Sequence, residues 1–493
     1  MFTKASSGAS AEEKDGVGDV VGNNTYHPGT ADGEYDELHV RCPPHTTERK
    51  IVMRIDWRLV PFLCILYLLA FLDRVNIANA RSFHLMEDLK LQGVEYNTAL
   101  TIFFVPYILF EVPSNILLKR FSPRIWLPTC MFMFGLVTVL QGFVQNYGGL
   151  LATRFFLAQD FSRLGCFLVV STCSTKSALP ANQYDSGAFG GLLASAIGKM
   201  DGIRGYHGWR WIFILEGILT CAVSLLFFFI FPSFPEQAKW LNEEERAYVK
   251  ARLQADTGRN AAERKVSFGD FLTVMKDHRV WLGGFMYFGL IVPAYGYAYF
   301  APAIISTYNY NPIQTQLHSV PPWAASFGFS LLIAALSDAT KLRAPFALAP
   351  LALSIAGFGI LLSVHDKVQV QYAALCLVTM GTYGAMPIIV CWFNMNLGGH
   401  HRRSIGTAWQ VGFGNIGGII ATYSFLSTDA PRFVKGYAIA ISFTVLSIIA
   451  CTIYLISIMA ENRKRAKSAR NLGLSEYEKT EMGDLNPEFK YMY

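Results

Sequence analysis

The stretch Leu59–Ala80, LVPFLCILYLLAFLDRVNIANA, decides how the rest of the chain is read. It is apolar and as long as a bilayer crossing needs, about 20 residues, yet it holds Asp73 and Arg74 side by side. Full charges at that depth are costly. They persist only where they face a polar cavity or each other, so an intramembrane ionisable residue is itself a functional-site hypothesis. At about 100° per residue, Asp73, Asn76 and Ala80 share one helix face, with Arg74 to one side. The functional reading is a titratable carboxylate, Asp73, beside an anion contact, Arg74. The structural alternative is a pair at the helix end that snorkels to headgroups. The uncharged run Leu59 to Leu72 precedes the pair, which puts it past the midplane but inside the membrane and favours function.

Similar runs recur along the chain. They fall near 59–80, 98–118, 126–144, 150–173, 187–199, 209–232, 281–303, 320–338, 345–364, 371–394, 405–426 and 437–459. These make twelve segments in two groups of six, and the fold class expected is an all-α membrane protein of two pseudo-symmetric six-helix bundles. The expected organisation is a disordered cytosolic tail (1–50), an N-terminal bundle (51–232), a cytosolic central loop (233–280), a C-terminal bundle (281–460) and a cytosolic tail (461–493). The central loop contains an amphipathic surface-helix pattern from Glu236 to Leu253 and a basic stretch from Arg259 to Lys265. Composition agrees. Of 493 residues 52% are hydrophobic and only 16% charged, against about 25% charged in a soluble domain.

Charge sets the orientation. Arg41, Arg49, Lys50, Arg54 and Arg58 precede the first segment. Lys119, Arg120 and Arg124 join segments 2 and 3; Lys341 and Arg343 join 8 and 9; Arg402 and Arg403 join 10 and 11. Arg463, Lys464, Arg465 and Lys467 open the tail, whereas the 3–4 connection, Gln145 to Gly148, is uncharged. The positive-inside rule puts both termini and the central loop in the cytosol. The net charge of +6 is spread over these short connections, which argues against a nucleic-acid partner. The nine cysteines show no CxxC pair or regular spacing, so no zinc site or disulfide framework is indicated. The first forty residues lack a basic region followed by an apolar core, so no cleavable signal is read there.

The 2–3 and 8–9 connections, LLKRFSPR from Leu117 and LSDATKLR from Leu336, are short, basic and equivalently placed. Such repeats, with a site at their interface, are the architecture of a secondary transporter. Arg154 begins segment 4 and either snorkels or reaches toward Arg74. Glu111, in a run with Pro113 and Asn115, reads as a structural carboxylate as readily as a transport group. Glu216 reads as a buried packing or gating carboxylate, and Asp338 and Asn415 join this structural and gating set. Tyr295, Tyr297 and Tyr299, between Pro293 and Pro302, suit a helix bending over a cavity; the alternative is an interfacial belt, favoured more for Tyr299 than for Tyr295. Asn394, Asn396 and Gln410 either line the cavity or glue helices together. Gly412-Phe413-Gly414-Asn415-Ile416-Gly417 fits G-x-G-x-x-G, but the dinucleotide motif needs a preceding strand, and here the glycines lie in an apolar helix. The acceptor-like Asn23-Asn24-Thr25 falls on the cytosolic side. No constellation of an enzyme appears at either membrane face, and neither a metal nor a cofactor is expected.

Several ordered motifs carry a family resemblance. They are YLLAFLDRVNIANAR from Tyr67, YILFEVPSNILLKRF from Tyr107, GWRWIFILEGILT from Gly208, FPSFPEQAKWLNEEER from Phe231, CWFNMNLGGHHRRS from Cys391 and LNPEFKYMY from Leu485. Together they resemble the major facilitator superfamily, and within it the fungal allantoate/nicotinate permease group of the anion:cation symporter family. The resemblance implies proton-driven uptake of a small organic anion, such as a ureide or a vitamin acid, by alternating access at the plasma membrane. It implies a monomer whose partners are the anion, protons and the bilayer. On that basis Arg74 and Arg154 would hold the anion, Asp73 would carry the proton, and Tyr295, Asn394 and Gln410 would supply neutral contacts.

One stretch departs from the family. After Arg154-Phe155-Phe156-Leu157 the pattern expects a Gly-x-x-Glu-Ala-Gly run, but the chain reads AQDFSRLGCFLVVSTCSTKSALPANQYDS before rejoining at Gly187. The family's glutamate falls at Phe161, and Asp160 sits about 100° away around the helix. Helices 4 and 5 are therefore expected to be incomplete. The stretch 159–186 reads as out of frame or mis-spliced, or else as divergent, and it keeps open a second reading: a sensor or a transporter that no longer transports.

Overall fold

The computed structural model describes residues 43, 45–120, 123–158, 182–230, 240–257, 268–398, 400–468 and 489–493. All regular structure among them is helical. The first half contains α1 (Glu48–Arg81), the short α2 (Leu85–Asp88), α3 (Glu95–Arg120), α4 (Pro123–Gln141), α5 (147–158), α6 (Asn182–Ile197) and α7 (Gly208–Ile230). Two connecting helices follow, α8 (Glu243–Thr257) and α9 (Phe268–Met275). The second half contains α10 (His278–Ser306), α11 (Pro312–Thr340), α12 (Ala344–Ser363), α13 (Val368–Met395), α14 (His400–Ser424) and α15 (Val434–Ser468). Among the described residues, α1, α4, α7, α10, α11, α12, α13 and α15 are each long and apolar enough to cross a membrane.

Several bounds differ from those read in the sequence, each for a local reason. α11 starts at Pro312, well before residue 320. Asn311 and Gln314 form a capping box there, and Pro312 fills the first turn, where its missing N–H costs nothing. α1 runs back to Glu48, so the basic residues from Arg49 to Arg58 stand in its first turns rather than before it. The surface helix expected over Glu236 to Leu253 is α8, shifted toward the C-terminus, with Glu243, Glu244 and Glu245 in its first turn, where the helix dipole favours acids. α8 lies against α1. Arg54 donates to both oxygens of Glu245 at 3.1 Å, and Arg58 lies 4.7 Å over the Trp240 ring. α9 was not expected. α5 is described to residue 158 and α6 from 182, so Asp160 and Phe161, like Asn23 to Thr25, lie outside the described residues.

In the first half α4 packs on α7, and α1 on α6 and α7. In the second, α10 packs on α13, α14 and α15, and α12 on α13 and α15. The halves meet where α6 lies on α11, α3 on α14 and α1 on α10. α10 is the central element: its most apolar window is 89% buried, against 33% for α11 and α15.

Close helix approach depends on small residues. A Cβ at Gly414 would collide with the Tyr287 ring, and one at Gly417 would sit 3.0 Å from the Phe288 carbonyl oxygen. The glycine run therefore seats α14 on α10. At Gly381 of α13 a Cβ would lie 2.5 Å from the backbone O of Pro350 and N of Ser354 on α12. Backbone cannot move aside as a side chain can. Gly381→Ala is expected to destabilise the protein by about 1–3 kcal/mol, read as a lower Tm of the purified protein in detergent. An unchanged Tm would mean that α12 and α13 separate at no cost.

Residues 489–493 return to the second half at its terminal end. The Tyr491 ring lies between the guanidinium groups of Arg279 and Arg465, at 4.9 and 4.8 Å. Its hydroxyl accepts from both, at 2.6 and 3.2 Å. Trp392 Nε1 and Asn396 Nδ2 donate to the Met492 carbonyl at 2.9 and 3.0 Å, and the Arg343 N–H donates to the Tyr493 oxygen at 2.5 Å. The segment thus joins α10, α13, α15 and the start of α12.

Candidate functional site

Asp73 and Arg74 do not pair with each other. One residue of α-helix turns them onto different faces, and each finds its own partner. Asp73 faces α7, where the Thr220 hydroxyl donates to Oδ2 at 3.1 Å. Arg74 faces α10, and its Nε donates to the Tyr299 hydroxyl at 3.1 Å. The Arg74 guanidinium stands 4.4 Å from the Tyr295 ring centre, 4.7 Å from Phe103, 5.1 Å from Phe104 and 5.7 Å from Tyr107. Aromatic faces attract a cation without neutralising it, so this cage holds a buried positive charge in place.

Arg154 of α5 reaches inward rather than to the surface. It is 1% exposed, and its Nη1 donates to the Arg74 carbonyl at 3.4 Å. Its Nε and Nη2 meet no acceptor among the described residues. These are adjacent donors of the planar fork that binds carboxylates in bidentate fashion. Tyr295 of the Arg74 cage donates to Asn415 Oδ1 at 3.1 Å. Glu216, one turn from Thr220 on α7, is 1% exposed. The structure therefore gathers Asp73, Arg74, Arg154, Glu216, Tyr295 and Asn415 where α1, α5, α7, α10 and α14 converge.

Other residues singled out in the sequence lie elsewhere. Asn394 Oδ1 accepts from Thr407, and its Nδ2 donates to Val390 O at 2.9 Å. Gln410 donates to Gly283 O at 3.4 Å. Gly283 is twelve residues from Tyr295 along α10, or about 18 Å at 1.5 Å per residue. Both amides thus make helix contacts, and Gln410 lies five residues before Asn415 on α14, about 7.5 Å along the axis. Asp338 is 44% exposed and pairs with Arg343 at 2.6 Å, a surface clasp at the end of α11. The side chains of Glu111 and Asn115 lie outside the described residues. Sequence reasoning missed Thr220 and the Phe103–Phe104–Tyr107 wall, and it leaned toward an interfacial place for Tyr299. Tyr295, Tyr297 and Tyr299 are all buried, at 6%, 4% and 2% exposure, so none belongs to an interfacial belt.

Beyond the cage, toward the end of the bundle remote from the termini, a seam joins the halves. Asn97 Nδ2 donates to Thr422 O at 2.5 Å, the Thr101 and Thr422 hydroxyls are 2.6 Å apart, and Arg81 donates to Ser427 Oγ at 3.0 Å. Phe71 meets Trp323, and Tyr96 meets Phe300, both at 6.4 Å. A cavity of about 10 Å³, bounded by Asn76, Asn79, Gly190, Ser319 and Trp323, remains within the seam, about the least that holds one water.

Helices in two six-membered groups around a buried, charged centre define a secondary transporter. The model of the Major Facilitator Superfamily matches residues 63–183 and 186–422, and the chain belongs to that family. Its members are membrane transporters, not enzymes, and the chain is a membrane transporter of a small-molecule substrate. It is 30% identical over 451 residues to an uncharacterized transporter of Schizosaccharomyces pombe, covering 90% of each chain. It is 29% identical over 473 residues to the high-affinity nicotinic acid transporter of Saccharomyces cerevisiae, covering 93% of this chain and 87% of that one. The fold is similar to that of a bacterial homolog of the human lysosomal transporter Spinster, solved inward-facing and occupied, with a TM-score of 0.58 and 12% identity over 80% of this chain and 95% of that one.

Proposed function

We propose that this chain carries a small organic carboxylate, coupled to protons, by alternating access at the plasma membrane. The observation that carries the reading is the buried Arg154 fork, whose Nε and Nη2 have no acceptor among the described residues, next to the Arg74 cage. A carboxylate satisfies both donors, and a ring attached to it stacks on the aromatic wall. The activity for which the yeast relative is named, nicotinic acid transport, supports an aromatic acid as the first substrate to try. Asp73, across α1 from Arg74, is the proton carrier in this reading.

The division into two bundles with a cytosolic central loop and cytosolic termini belongs to the same proposal. With basic connections on the cytosolic side, the seam closes the outer end of the site. Rocking of the halves about the site would then open the seam.

Uptake of labelled small carboxylates, nicotinate first, into cells that lack their own uptake tests this. Unlabelled carboxylates are expected to compete, nicotinamide is not, and a protonophore is expected to abolish accumulation. Equal competition by nicotinamide, or accumulation indifferent to the protonophore, would remove the carboxylate or the proton assignment respectively.

A further inference from the structure

Glu216 is the group that the reading above leaves without work. It is 1% exposed, on the α7 face that meets α1, and neither of its carboxyl oxygens has a hydrogen-bond partner among the described residues. A carboxylate retained for structure is bonded to a neighbouring helix, because buried polar atoms are almost always satisfied. This one is not. One turn further along α7, Thr220 donates to Asp73 Oδ2 at 3.1 Å, while Asp73 Oδ1 has no partner among the described residues. Two buried carboxyl groups therefore lie within one helical turn of the Thr220 hydroxyl, each with an oxygen that has no partner among the described residues.

We propose that Glu216 is a second proton-coupling residue, acting with Asp73 through Thr220. The proposal rests on the proton-coupled reading above and extends it. The surroundings favour a pair that shares protons. α1 presents Asp73 to α7, while its Arg74 is turned to α10, and Arg154 of α5 reaches the Arg74 carbonyl. α4 brings Cys130 and no charged side chain between residues 125 and 141, and α6 brings no titratable group over 188–197. α7 itself adds Cys221. Asp73 is thus the one acid beside Glu216 among the described side chains. Interacting acids titrate as a pair rather than singly. Thr220 is bonded to Asp73 and not to Glu216 in this conformation, so transfer needs the Glu216 side chain to turn toward the hydroxyl, which then accepts the Asp73 proton while it donates its own to the Glu216 carboxylate. The local net charge then stays constant while the proton changes position.

The test uses the purified full chain in proteoliposomes, with labelled nicotinate as probe and an imposed gradient of one pH unit, alkaline inside. Such a gradient drives about tenfold accumulation per coupled proton. Glu216→Gln keeps the shape of the side chain and removes its proton site. Its accumulation ratio is expected to fall to about one, a far larger loss than that in exchange of labelled for unlabelled nicotinate without a gradient. Equal losses in accumulation and exchange would mark a merely structural residue and overturn the proposal, as would full accumulation.

A second arm needs no substrate. The infrared carboxyl C=O band of the protein in lipid is followed against pH. Glu216→Gln is expected to delete a titrating component, and Thr220→Val and Asp73→Asn to shift it. A component insensitive to all three overturns the proposal. If the wild type fails to accumulate nicotinate while this component behaves as stated, the substrate reading falls and the Glu216–Asp73 pair stands.

Discussion

Arg154→Ala is expected to abolish saturable uptake of the carboxylate, and Arg154→Lys to raise its KM by about 10- to 100-fold, the equivalent of losing one charge-assisted hydrogen bond. The lysine keeps the positive charge but offers a point donor in place of the planar fork. Its shorter reach also gives up the contact with the Arg74 carbonyl. The measurement is initial-rate uptake normalised to transporter at the membrane. A lysine variant with wild-type KM would show that charge alone suffices and that Nε and Nη2 are not the anion contact. Arg74→Lys has a different expected signature. Arg74 is held by Tyr299 and by rings on α3 and α10, so replacing it loosens α1 against α10 and lowers the maximal rate together with affinity.

Asp73→Asn is expected to separate accumulation from movement. Asparagine can still accept from Thr220, so the α1–α7 contact survives, but the residue no longer takes up or releases a proton. Wild-type uptake is expected to rise as the external pH falls, while the variant's stays flat. With a gradient of one pH unit the variant's accumulation ratio falls from about ten toward one. Gradient-free exchange should suffer much less. Full accumulation by Asp73→Asn would remove Asp73 from the coupling path.

The membrane-spanning helices and the importance of Asp73 and Arg74 were legible from sequence because charge is rare in apolar runs and so stands out. Where each side chain points was not legible. A helix surrounded by lipid and other helices is apolar on all sides, so no hydrophobic periodicity marks its inner face. Tyr299 illustrates this. It lies four residues from Tyr295 and so on the same face, directed at Arg74, but as part of an alternating row beside prolines it resembled an interfacial residue. Thr220 is one hydroxyl among many until Asp73 is found opposite it. Asn394 and Gln410 were read by residue type alone, and an amide that lines a cavity has the same residue type as one that holds two helices together. Arg154 was ambiguous for another reason: its depth was known, but a long side chain at that depth can turn either way. The stretch after it, where the family pattern breaks, lies outside the described residues.

The docked segment around Tyr491 has a mechanical consequence. Transport by rocking needs each half to turn as a stiff lever, since a loose sheaf of helices would dissipate the displacement before it reached the far side. The segment fastens α10, α13, α15 and the head of α12 at the end farthest from the seam. Torque applied where the halves separate is thereby carried through α10 to a fixed footing. Under the proposed rocking, residues 489–493 would brace the second half, well away from Arg74 and Arg154.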